Sequence, residues 1–156
     1  MIAKSDNPIS SVTYTLDGAG VFGEISKDGE SGLVYWNLRE SSPVPSLLVD
    51  FHDADDPINL PGNLWTSRTA NGISFALMSS DGRSVYLRGD GLKDDFRPQP
   101  FVDRVRLFDT STKRIFEGVQ DVFDEPLVPL DAELTRMIVS RESMTDFPDS
   151  YLWHQN

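Results

Sequence analysis

One cadence constrains this chain more than any other feature: a short apolar strand, a polar or acidic turn, a second strand, then a third. It runs VTYTLDGAGVFGEI then GLVYWNL, ISFALMSSDGRSVYLRG then FVDRVRLFD, and PLVPLDAELTRMIVSR then SYLW. Strands of this length between Asp-Gly turns pair with their sequence neighbours as antiparallel hairpins. A supersecondary unit repeated at long period, each copy hiding its faces against the next, is the signature of propeller blades. The expected fold class is therefore all-β, a partial β-propeller of about two and a half to three antiparallel blades. A propeller closes with about four or more blades, so the chain reads as a piece of something larger. A small β-sandwich made from the same strands is the competing packing.

The approximate blades fall at 11–52, 64–117 and 125–156, within one partial propeller domain covering 1–156. In the first, strands are expected over 12–16, 21–25, 33–38 and 47–51, with turns at Asp17-Gly18 and Lys27-Asp28-Gly29. Two prolines make 41–45 a loop, and 57–63 is a turn-rich connection in which 64–66 forms a short strand. The second blade has strands at 73–78, 85–88, 102–108 and 114–117, with Ser80-Asp81-Gly82-Arg83 as its hairpin turn and 89–100 as an inserted loop. The third starts near Leu127, turns at Asp131-Ala132-Glu133, continues over 136–140 and 151–153, and has no outer strand. Helical periodicity is weak, leaving room for at most a turn of helix near 131–136. Apolar faces are expected to lie open at both ends of such a stack, inviting self-association or a partner.

Charge and composition remove several function classes. With 14 Lys and Arg against 25 Asp and Glu, the net charge of -11 disfavours nucleic acid and anionic membrane surfaces as partners. No cysteine is present, so thiol catalysis, disulfides and thiolate metal sites are excluded. No apolar run approaches the roughly 20 residues of a spanning helix, and MIAKSDNPISS lacks the apolar stretch of a signal peptide.

The residues that could carry chemistry each have a plainer explanation. There is no G-x-S-x-G, and the two histidines, His52 in an acidic loop and His154 near the end, do not suggest a triad. His52, Asp53, Asp55 and Asp56 are metal-type donors in a tight run. They lack the glycine turn of a calcium loop, so a solvated acidic turn is expected. The same holds for Asp90, Asp94 and Asp95. Gly89-x-Gly91 lacks the lysine and helix of a phosphate loop. Arg97, Arg104, Arg106 and Arg141 lie near loop mouths. They could meet a substrate carboxylate, or form salt bridges within an acidic protein. Trp36, Trp65, Tyr86, Phe108 and Tyr151 are expected to pack between blades. No catalytic, cofactor-binding or metal-ligating residue is assigned, and no cofactor.

Three segments carry a family resemblance. RPQPFVDRVRLFDTSTKRIFE at 97–117 resembles the propeller of serine peptidases of the prolyl oligopeptidase group, in the branch that includes the glutamyl endopeptidases, with Gln99 inserted in the R-P-F core. SRESMTDFPDSYLW at 140–153 is similar to a second segment of that branch through Arg141, Ser143, Thr145, Pro148, Tyr151 and Leu152. Met144 and Phe147 stand there where prolines are usual. LVDFHDADDPINLPGNLWTSRTANG at 48–72 is similar to a blade connection. The resemblance implies a non-catalytic portion of a peptidase. Such a portion gates and orients peptide substrates for an α/β-hydrolase domain supplied by other residues, with the missing blades as partners. The alternative is a stand-alone binding or structural module that self-assembles or binds a protein partner.

Overall fold

A computed structural model of the chain describes residues 4–58 and 60–155. Met1–Ala3, Asn59 in the expected 57–63 connection and Asn156 at the end of the third expected blade lie outside the described residues. The described residues form thirteen strands and no helix. The segment near 131–136, where the sequence leaves room for a turn of helix, is a non-helical turn in which Leu134 holds a φ of 52°.

The first sheet is a simple meander of β1 (Ile9–Tyr14), β2 (Gly20–Lys27), β3 (Glu30–Asn37) and β4 (Ser46–Asp53). The chain then makes β5 (Asn63–Leu64), β6 (Thr66–Arg68), β7 (Ser74–Ala76), β8 (Ser84–Gly89), β9 (Phe101–Arg106) and β10 (Thr112–Glu117). Of these, β5, β8, β9 and β10 build the second four-stranded sheet in that order. The third sheet has three strands, β11 (Phe123–Pro129), β12 (Arg136–Glu142) and β13 (Asp149–His154).

The first strand of the second sheet departs from expectation. Asn63 and Leu64 pair with β8, and the Trp65 N–H donates to the Tyr86 carbonyl at 2.8 Å. The chain then leaves as the hairpin β6–β7. It returns where the Leu77 N–H meets the Trp65 carbonyl at 2.8 Å and Met78 bridges Val85. The strand expected over 73–78 is thus shorter, and it pairs with β6 rather than β8.

Period-2 alternation sets which face each residue serves. From the first sheet, Phe22, Leu33 and Leu48 pack against Val85, Leu87 and Val105 of the second. The other face of the second sheet gives Tyr86, Val102 and Phe116 to a cluster with Leu134, Met137 and Val139 of the third. Being covered on both faces, β8 is buried without alternation from Ser84 to Leu87. Each of its large apolar side chains contributes about 1.5–3 kcal/mol by burial.

Two aromatic expectations are corrected. Trp36 does not pack between sheets. It is buried with Val21, Ile25 and Val34 on the far face of the first sheet. Its ring lies over Gly23, where a Cβ would fall 2.7 Å from Cζ3. Its indole N–H donates to the Lys4 carbonyl at 3.1 Å, tying the 4–8 segment over the same face. That end is therefore largely self-covered, although Val12 and Tyr14 on β1 remain exposed. Phe108 is 93% exposed, because β9 ends at Arg106 and the chain turns at once. At the other end of the stack, Val128 and Leu152 flank Ile138 in register on an open face of the third sheet. The chain is all-β, and its face-to-face antiparallel meanders are blades of the propeller type.

Candidate functional site

The hairpin turns that open each sheet gather at one end, and two of them are built alike. In Thr15-x-Asp17-Gly18-x-Gly20 the Thr15 hydroxyl donates to Asp17 at 2.7 Å and accepts the Gly20 N–H at 2.9 Å. In Ser79-x-Asp81-Gly82-x-Ser84 the corresponding bonds are 2.6 Å and 3.0 Å. Gly18 and Gly82 take φ of 67° and 66°, which side-chain-bearing residues rarely adopt. The hydroxyl of Thr15, with the Ala19 N–H, holds the Asp17 carboxyl below its usual range. The Ser79 hydroxyl and Arg83 N–H do the same for Asp81. The third turn is one residue longer: Leu130 bonds Arg136, where Thr15 bonds Gly20 and Ser79 bonds Ser84. Leu134 absorbs the extra residue at positive φ, and Asp131 accepts N–H bonds from Glu133, Thr135 and Arg136.

This end also fastens the second sheet to the third. Glu133 accepts from the Ser80 N–H at 2.9 Å, the Ser80 hydroxyl at 2.7 Å and Arg104 at 3.0 Å. Those Ser80 bonds hold its carboxyl below the ordinary value. Tyr86, pushed up to about 12 by burial, donates its hydroxyl to the Ala132 carbonyl at 2.8 Å. No side-chain hydrogen bond joins the first sheet to the second among the described residues; that contact is apolar. Beside it lies a hollow of about 660 Å³ that includes Tyr35, Asp17, Arg39 and Met78.

The opposite end carries the larger opening, a cleft of about 860 Å³ bordered by Trp65, Arg88, His52, Leu64, Leu92 and Leu127. Glycines in its lining let segments of the chain pack closely on one another. Gly62 lies so close to the Arg88 backbone that a Cβ would fall 2.8 Å from it. Gly91 holds a φ of 60° against the Gln99 carbonyl. Arg88 extends from β8, gives one N–H to the Pro126 carbonyl at 2.7 Å and sits 5.5 Å over the Trp65 ring. Leu64 adds a main-chain feature. Asn63 lies opposite Arg88 and the Trp65 N–H donates to Tyr86 of β8, so by the alternation of an antiparallel pair the N–H and C=O of Leu64 between them point the other way, out of the sheet edge.

The residues singled out from sequence disperse. His52 is in β4 rather than a loop, with Nδ1 3.1 Å from the Asp50 carbonyl, and His154 is in β13. Asp53 and Asp56 accept the N–H groups of Asp55 and Ile58, closing local turns. No group of three or more metal-type donors converges among the described residues. Asp90 borders the cleft, and Asp95 holds Arg97. Arg104, Arg106 and Arg141 pair with Glu133, Asp109 and Asp124. Arg88, Glu133 and Asp124 were not singled out as functional. The sequence signal that could have directed attention to one end of the fold is the matched hydroxyl-x-Asp-Gly spacing at Thr15 and Ser79.

No family model matches the sequence. No curated protein matches it either. Among solved structures the chain is similar to TolB from Acinetobacter baumannii, with 16% identity, 96% of this chain covered and a TM-score of 0.48. The chain spans 30% of the length of that structure.

Proposed function

We propose that this chain is a non-catalytic propeller-type element that receives peptide segments. More specifically, it is the portion of a serine peptidase of the prolyl oligopeptidase group that gates and orients peptides for an α/β-hydrolase domain. The observation that carries the reading is the cleft of about 860 Å³, where apolar side chains, an arginine and the sheet edge at Leu64 meet at one end of stacked blades. Motif resemblance over 97–117 and 140–153 supports the peptidase assignment. An extended peptide needs such a mixed lining: apolar surface for its side chains and main-chain groups for its backbone. In the test, purified chain is mixed with an N-acetylated, C-amidated neutral octapeptide, and binding is followed by calorimetry and turnover by chromatography. Saturable binding without turnover is expected. Hydrolysis abolished by a serine-directed inhibitor, or no binding at all, overturns the reading.

A further inference from the structure

We infer that Arg88 is a receptor for the C-terminal carboxylate of a bound peptide, a deepening that rests on the peptide-binding reading above. Charge pairing sets Arg88 apart. In a chain of net charge -11, seven of ten arginines hold a carboxylate of the chain itself. Of the other three, Arg68 and Arg83 are exposed. Arg88 alone is half-buried without an acidic partner among the described residues, although Asp90 and Glu24 border the same cleft. A guanidinium has five N–H donors, and Arg88 spends one of them, on Pro126.

That one bond also fixes the group. With Nη1 on the buried Pro126 carbonyl and Cζ 5.5 Å from the Trp65 ring centre, the side chain has lost much of its rotamer freedom before any ligand arrives. A guanidinium held in this way presents its remaining N–H groups as a fork that matches a carboxylate. The surroundings favour a terminal carboxylate over one on a side chain. In the same cleft as Arg88 the Leu64 N–H and C=O turn away from β8, out of the sheet edge, where the main chain of a ligand can meet them. A peptide backbone can therefore come close, and the carboxylate attached directly to that backbone reaches the guanidinium. A long acidic side chain would instead hold the ligand's backbone away from these groups.

The test uses three N-acetylated octapeptides in calorimetry with the full chain: one neutral sequence as free acid, the same as amide, and the amide with a single internal glutamate. The free acid is expected to bind about tenfold more tightly than either amide, the scale of a charge-assisted pair. Arg88→Gln should remove that preference and Arg88→Lys should keep part of it, with far-UV circular dichroism checking that each variant is folded. Equal affinity for acid and amide, or a preference surviving in Arg88→Gln, overturns the inference while leaving the peptide-binding reading intact. So does an internal-glutamate amide that binds as tightly as the acid. Failure of all three peptides to bind overturns both. If neither variant folds, the three-peptide comparison on the unaltered chain decides.

Discussion

Trp36→Ala is expected to lower the unfolding free energy by about 3–5 kcal/mol, the range for emptying a buried aromatic site. That is a large share of the 5–15 kcal/mol typical of a whole domain. The side chain is 2% exposed and covers Gly23, which has nothing of its own to offer the face. Truncation removes that cover from Val21, Ile25 and Val34, and deletes the bond to the Lys4 carbonyl that ties down the 4–8 segment. Urea unfolding followed by circular dichroism measures the effect. A loss below about 1.5 kcal/mol, smaller than simple burial of such a side chain is worth, would mean that another part of the chain takes over the face.

Asp124→Ala should cost about 2–3 kcal/mol, somewhat below the figure for breaking a fully buried ion pair, because its partner keeps access to water. Asp124 is 1% exposed and meets Arg141 in a two-pronged contact at 2.6 and 2.7 Å. It also accepts the Val119 N–H at 3.3 Å. The Arg141 side chain is 46% exposed, rests on Tyr151, and is held well above the usual arginine range by Asp124. Asp124→Asn, which keeps the shape and loses the charge, should fall between wild type and alanine. An alanine variant as stable as wild type would show that water replaces the carboxylate without penalty.

The parts of this fold that were legible in the sequence are local. Asp17-Gly18 and Asp81-Gly82 sit in turns whose chemistry is complete within six residues, so position alone identifies them. Strand cores such as 21–25 and 102–106 follow from short apolar runs between such turns. What escaped reading depends on parity or on distant partners. In Leu33-Val34-Tyr35-Trp36 both faces are apolar, so nothing local says that Trp36 turns from the second sheet while Leu33 faces it. Phe108 looks like a strand residue because the polar turn residues begin only at Asp109, whereas β9 ends at Arg106 and the turn already includes Phe108. The β5 segment is two residues long, too short for any pattern, and the β6–β7 excursion separates it from the rest of its strand. Arg88 stands out only by lacking an ion-pair partner, and pairing is a property of the folded chain.

The sheets join only in sequence order. Hydrophobic clusters link first to second and second to third, and among the described residues no hydrogen bond or ion pair bridges the outer two. Free energy in such a stack is a sum of units and of contacts between neighbours. A lesion at Trp36 and a lesion at Asp124 therefore draw on separate terms. In the double variant their costs should add to within about 0.5 kcal/mol, with the double-mutant cycle returning a coupling near zero. A coupling well beyond that would mean that the middle sheet passes strain from one neighbour to the other.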